Sequence, residues 1–199
     1  MTFSKIISMN NKIHIEPRYY ALCFIPVPVY LISTIDNSGI FNIAPYGMIM
    51  PVSYNPLIIS VGSAKNRDTY RNIVDNNEFV LNVPSIDLLR KVNRTADPVP
   101  PEIDEFEHAN LTPIDSKIVT PPRIKECSTH MECQSIWIKE VSDKSKNRVI
   151  ITAKVVALSI NKDLFQKDLC KQKGLLAPLY YEKHSYFTIG AYIGNRRMR

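Results

Sequence analysis

The run Val149 to Leu158 reads Val-Ile-Ile-Thr-Ala-Lys-Val-Val-Ala-Leu. β-branched residues lose side-chain freedom against the turns of a helix and pack well on a pleated surface, so this run is a strand long enough to cross a barrel. Within Arg148 to Ile160 it pairs with Ile136 to Glu140 as a hairpin around the polar turn Ser142 to Asn147. Shorter strands precede it. Val29 to Ile35 is β-branched and aromatic, Asp36-Asn37-Ser38-Gly39 supplies a turn, and Ile40 to Ala44 resumes the extended chain. Leu57 to Gly62, after Asn55-Pro56, and Glu78 to Val83 read as buried strands. Between those two lies a helix, capped by Asp68 or Thr69, with Tyr70, Ile73 and Val74 at helical spacing and Asn76-Asn77 as its stop. A second short helix follows Pro84-Ser85, carrying Ile86, Leu88, Leu89 and Val92. Ala96 to Pro101 is a stiff proline-rich connector. Many short strands with few helices predict a mainly β fold, a barrel with α insertions.

The 199 residues suit a single domain spanning 1–199, and 45% hydrophobic content is too high for a disordered chain. The longest apolar stretch, Ala21 to Ile32, holds Pro26 and Pro28 and is too short for a membrane span. Met1 to Lys12 is polar and carries no secretory signal. Cys23, Cys127, Cys133 and Cys170 form no C-x-x-C pair, which predicts reduced thiols in a cytoplasmic protein. Cys127, His130 and Cys133 lack a fourth ligand at metal spacing, so no metal is expected. Of the net charge of +6, three positive charges sit at the end, on Arg196, Arg197 and Arg199. A solvated tail explains them better than a nucleic-acid site, because interleaved aromatics and a reading helix are missing.

Neither a G-x-G-x-x-G nor a G-x-x-x-x-G-K-[ST] cradle occurs. Gly62-Ser63-Ala64-Lys65-Asn66-Arg67-Asp68-Thr69 instead joins an apolar strand to a helix. A helix start offers unpaired N–H groups and the positive end of its dipole. Lys65 and Arg67 add cationic donors, and Ser63 and Thr69 add hydroxyls. Either this segment binds a phosphate, or it is an ordinary capped helix preceded by surface charges. Asn42-Ile43-Ala44-Pro45-Tyr46-Gly47 is the second candidate. Pro45 stiffens the backbone, Gly47 admits a close neighbour and Tyr46 offers a flat face, which together suit the wall of a flavin ring. A plain strand-ending turn fits the same residues. His108, His130 and His184 lack partners at nucleophile–base spacing, and Glu132, inside a strand, is expected to serve a backbone or Arg group.

Taken in order, N-x-A-P-Y, then V-S-Y-N-P, then K-N-R-D-T-Y-R-N-I, then E-F-V-L-N-V-P resemble the flavin reductase-like, FMN-binding split-barrel family. Asp104 to Thr112 (Asp-Glu-Phe-Glu-His-Ala-Asn-Leu-Thr) resembles that family's D-K-F-E-x-A-G-L-T. Pro122 to Cys127 and Met131-Glu132-Cys133 resemble its P-x-I-x-E-C and L-E-C segments. The likeness covers about residues 25–160, with a looser echo at Tyr186 to Gly190, and leaves 161–199 to pack on the barrel or a dimer partner.

The resemblance implies an FMN-binding split β-barrel, a homodimer with the cofactor near the subunit interface, and oxidoreductase activity. In that reading Asn42, Ala44, Pro45, Tyr46 and Gly47 line the ring and ribityl chain, while Ser63, Lys65, Arg67 and Thr69 meet the phosphate. Hydride would come from NADH or NADPH, with a non-enzymatic electron carrier as the alternative. No catalytic acid–base residue is required, since the cofactor carries the chemistry. His184 and Tyr186 are candidates to cover the site. Two departures stand out: Gly47 where relatives often carry serine, and Asn110 where they carry glycine.

Overall fold

The computed structural model describes residues 16–17, 26–141, 147–165, 179–182 and 185–188. The Cys23 and Cys170 thiols, the Ser142 to Lys146 turn, His184 and the arginine tail lie outside them.

The first strands are β1 (Val27–Pro28), β2 (Tyr30–Ile35), β3 (Phe41–Tyr46), β4 (Ile49–Tyr54) and β5 (Leu57–Ala64). Helix α1 (Asp68–Asn76) leads to β6 (Glu78–Val83), followed by α2 (Leu89–Arg94) and α3 (Glu105–Ala109). Then come β7 (Pro113–Ile114), β8 (Arg123–Ile124), β9 (Thr129–Glu140) and β10 (Arg148–Ile160), and finally β11 (Leu179–Glu182) and β12 (Ser185–Thr188). Seven strands form one antiparallel sheet in the order β3-β2-β6-β9-β10-β5-β4. This sheet is the split barrel expected from the sequence. Register shifts in β10 at Thr152/Ala153 and Val155/Ala157 bend the long hairpin, as bulges do where a sheet must curve.

Both edge strands carry a proline, Pro45 in β3 and Pro51 in β4. An edge is the place where the missing N–H costs no ladder bond. The segment read as a turn at Pro45-Tyr46 is therefore the end of an edge strand, paired Leu31↔Pro45 and Tyr30↔Tyr46.

Alternation along β2 divides the core. Leu31 points into a cluster with Ile43, Val92, Phe106, Leu111 and Ile124, beneath α2 and α3. Ile32 points into the other, with Val61, Ile73, Phe79, Leu81 and Ile151. The C-terminal stretch contributes Leu179 to the first cluster, held by the Val29 N–H to Leu179 carbonyl bond of 2.9 Å.

Several local expectations change. The cap position of α1 is Arg67, with no side-chain cap. Asp68 is already helical and pairs with Arg71, while the Thr69 hydroxyl is drawn into the barrel. Val74 faces outward, because α1 turns Thr69, Asn72 and Ile73 inward. Asn77 stops the helix at φ 58°, and Asn110 ends α3 at φ 54°. Asparagine tolerates this left-handed region well, so replacing the family glycine at Asn110 leaves the loop intact.

Glu132 is buried and accepts the N–H groups of Lys117, Ile118 and Val119 at 2.8, 2.6 and 3.3 Å, pinning that loop. His130 is buried between Ser159 Oγ and the Ile124 carbonyl, and burial holds its pKa below the usual value. Cys127 and Cys133 lie in different clusters, and burial pushes both thiols up.

Candidate functional site

Three segments converge on one cleft of about 270 Å³: the end of β3, the end of β5 and the start of α1. Asn42, Ala44, Pro45, Tyr46, Gly47, Ser63, Arg67 and Thr69 all line it. Lys65 does not. Its ammonium pairs with Glu140 across the end of β10, and its N–H donates to the Asn147 carbonyl at 2.9 Å. The side chain is thereby held on the flank of the sheet.

At the mouth of α1 the chain changes from extended at Arg67 (φ −94°, ψ 141°) to helical at Asp68. Tyr70 and Arg71 donate their N–H groups to the Arg67 carbonyl, whereas those of Asp68 and Thr69 find no acceptor among the described residues. A helix start with two free donors attracts an anion. Arg67 and Arg148 add positive charge to the same wall, and neither guanidinium is paired among the described residues.

Behind this mouth the polar side chains are already committed to one another. Thr69 Oγ1 donates to Asn42 Oδ1 at 2.9 Å and Thr34 Oγ1 donates to the same atom at 3.2 Å. Asn72 Nδ2 donates to Thr34 at 3.0 Å. Tyr46 Oη and Ser63 Oγ lie 2.9 Å apart, and burial raises the Tyr46 pKa. The Thr69 hydroxyl is thereby turned to Asn42 and the Ser63 hydroxyl is shared with Tyr46, while the N–H of Thr69 is left open to the cleft. With both donors aimed at its oxygen, Asn42 turns its NH₂ toward the cleft and Glu105.

Glu105 was missed by sequence reasoning, as were Arg148 and the Thr95 to Val99 segment that closes one side. A signal for Glu105 existed, because it is an acid where the family pattern D-K-F has lysine. The Glu105 carboxylate accepts the Ile43 N–H at 2.6 Å. That N–H points away from β2, and Pro45, next on the same side of β3, has none to leave unsatisfied. Burial, reinforced by Asp68 and Asp104, pushes the Glu105 pKa up to about 7 despite the bonds from Ile43 and Asn42.

A carboxyl whose folded pKa lies above its unfolded 4.5 binds more protons in the folded state between those values, so its contribution to stability falls as pH rises from about 4.5 to 7. Glu105→Gln keeps the acceptor for Ile43 and removes the charge. It should raise stability by about 2 kcal/mol at pH 8, with the solvent-filled cleft screening part of the cost, and change little at pH 4.5. Urea unfolding at the two pH values measures this, and equal effects at both would refute it.

Gly47 is explained by Val27. A Cβ on Gly47 would sit 2.8 Å from Val27 Cγ2, so a serine there would require the Val27 side chain to shift. A second pocket of about 190 Å³ shares Pro45, Tyr46, Gly47 and Ala96 with the cleft and adds Val29 and Tyr186. Tyr186 lines this second pocket beside Pro45, Tyr46 and Gly47 but not the main cleft, and its Oη donates to Asn93 Oδ1 at 2.8 Å. His108 pairs with Asp97 at 2.9 Å on the rim. Among the described residues no group of histidines, cysteines and carboxylates converges as a metal site, and no helix is long and apolar enough to cross a membrane.

A sequence signature described as Flavin reductase like domain matches residues 22–190. The chain belongs to the flavin reductase-like family. An uncharacterised relative from Methanothermobacter thermautotrophicus is 43% identical over 144 residues, 72% of this chain and 68% of its own. Among solved structures, nitrilotriacetate monooxygenase component B from Bacillus cereus superposes with a TM-score of 0.84 at 27% identity, covering 96% of this chain and all of that one. Flavoredoxin of Desulfovibrio vulgaris superposes with a TM-score of 0.76 at 19% identity, over 86% of this chain and 91% of its own, which establishes a shared fold. The flavin reductase-like membership accounts for the joint appearance of the β3 wall and the α1 mouth, two features that are individually soft in the sequence.

Proposed function

We propose that the cleft binds FMN and that the protein is an NAD(P)H-dependent oxidoreductase of the cytoplasm. The observation that carries this reading is the mouth of α1, with two unclaimed N–H groups between Arg67 and Arg148, facing an aromatic and proline wall across one cavity. The residues fit the group chemically. Arg67, Arg148 and the N–H groups of Asp68 and Thr69 would hold the phosphate, while Pro45, Tyr46 and Gly47 would support the ring. The Tyr46–Ser63 bond fixes the wall in place, and the raised Tyr46 pKa keeps its phenol neutral. FMN bound there would supply the exchange of a hydride equivalent from a nicotinamide for electrons passed to an acceptor. The buried free thiols Cys127 and Cys133 suit a reducing compartment.

The absorption spectrum of the purified protein tests this reading. A yellow protein with about one FMN per chain, bleached by NADH or NADPH, is the expected result. Colourless protein that also ignores added FMN would end it. The flavoredoxin likeness favours a second reading, an electron carrier serving partner proteins. Bleaching by a reduced protein donor but by neither nicotinamide would select it.

A homodimer is part of the proposal. Met48, just before edge strand β4, and Met50, Val52 and Tyr54 along it are all exposed, and Tyr54 is 82% exposed. Such an apolar strip beside the cleft calls for cover. Light scattering at micromolar concentration should give twice 22.8 kDa. A stable monomer counts against it.

A further inference from the structure

We propose that Glu105 is a positioning residue that takes up a proton as a phosphorylated ligand enters the cleft, so that the anion binds only with this carboxyl neutral. The proposal rests on the flavin reading of the site and names what that reading leaves unexplained. Glu105 is 9% exposed, yet it has no cationic partner among the described residues. It lines the cavity that also holds the α1 start, with its two unclaimed N–H groups, Arg67 and Arg148. A negative charge there opposes the function of its own wall.

The charged neighbours do not relieve it. From α1, Asp68 faces Glu105 and is itself paired with Arg71. From its own helix start, Asp104 adds repulsion. A side pocket of about 160 Å³ brings Asp36, Asp75 and Arg71 to its other flank. Across the main cleft stand Arg67, Arg148 and Asp97, the last paired with His108. Asp68, whose N–H is one of the two unclaimed donors, already acts on Glu105 by its charge, and Asn42 links Thr69 to the same carboxyl. An anion held at those N–H groups thus acts on Glu105 as a further like charge. It must therefore raise the proton affinity of Glu105. Only a proton from solvent is transferred, onto a Glu105 oxygen, and no bond of the ligand changes.

The positioning role follows from Asn42. Its oxygen accepts from Thr69 and Thr34, so its NH₂ is directed to Glu105 and the cleft. An ionised Glu105 holds those N–H donors by a charge-assisted bond, whereas a neutral one accepts them more weakly and competes less with a ligand.

Titration calorimetry with FMN, in two phosphate-free buffers of different ionisation enthalpy, counts the protons directly. Because the carboxyl is about half ionised at pH 7, the wild-type protein should take up about half a proton more than Glu105→Gln at that pH. At pH 8 it should bind FMN about tenfold more weakly than the variant, and at pH 5.5 equally. The FMN phosphate has its own second ionisation near ~6, but this is common to both proteins and cancels in the difference. Riboflavin, lacking the phosphate, should show little of the extra uptake.

Equal proton counts in the two proteins, or equal extra uptake with riboflavin, overturn the proposal while FMN binding itself stands. Absence of FMN binding in both proteins overturns the flavin reading and this proposal with it. The carboxyl carbon resonance of Glu105 in the wild-type protein supplies a check independent of the variant's folding. Its titration midpoint should move upward on adding FMN, and an unmoved midpoint counts as refutation.

Discussion

Phe106→Ala is expected to destabilise the protein by about 3–5 kcal/mol, the range for removing a buried phenylalanine and leaving its space unfilled. Phe106 is 1% exposed and meets the Phe41 ring edge-on, with centroids 5.5 Å apart and planes at 64°. Its other neighbours include Leu31, Ile43 and Val92, which belong to three different elements. Helix α3 has only five residues, too few to persist without tertiary support. Its sole side-chain cap is Asp104, which accepts the Phe106 N–H at 2.8 Å. Losing Phe106 should therefore loosen α3 and with it the Glu105 bond to Ile43. Urea unfolding gives the stability, and hydrogen exchange at the Ile43 amide gives the local effect. A loss below 1 kcal/mol with unchanged exchange would show that α3 is held by something else.

Arg67→Ala should weaken FMN binding by about 1.5–3 kcal/mol, a 10- to 150-fold rise in Kd. Arg67 occupies the cap position of α1, its guanidinium unpaired among the described residues, beside the unclaimed N–H groups of Asp68 and Thr69. A guanidinium engages two phosphate oxygens at once, a geometry that lysine cannot copy. Fold stability should change little, because Arg67 makes no side-chain cap bond to its own helix. Riboflavin affinity should stay nearly constant in the variant, and that contrast separates a phosphate ligand from general unfolding. Unchanged FMN affinity, or equal loss of both ligands, would remove Arg67 from the site.

What the chain determined locally was the set of elements. The β-branched run at Val149, the strands Leu57 to Gly62 and Glu78 to Val83, and the helix stop at Asn77 follow from side-chain shape and backbone preference alone. The two halves of the cleft were legible for the same reason, since each lies within one continuous segment, Asn42 to Gly47 and Gly62 to Thr69. Tertiary structure decided how those segments use their side chains. Lys65 and Arg67 are both cations at the same helix start, yet only Arg67 lines the cleft, since the Lys65 backbone is tied to Asn147 and its ammonium meets Glu140, 75 residues away. The sequence offers Thr69 and Ser63 as hydroxyls at a helix start, and only the fold shows the Thr69 hydroxyl donating to Asn42 and the Ser63 hydroxyl lying against Tyr46. Glu105 lies 62 residues from the Ile43 N–H that it accepts. Its unusual proton affinity comes from burial and from Asp68, neither of which any local pattern encodes. Backbone preference acts over a few neighbouring residues, whereas charge, desolvation and hydrogen-bond competition act between whatever the fold brings within a few ångströms.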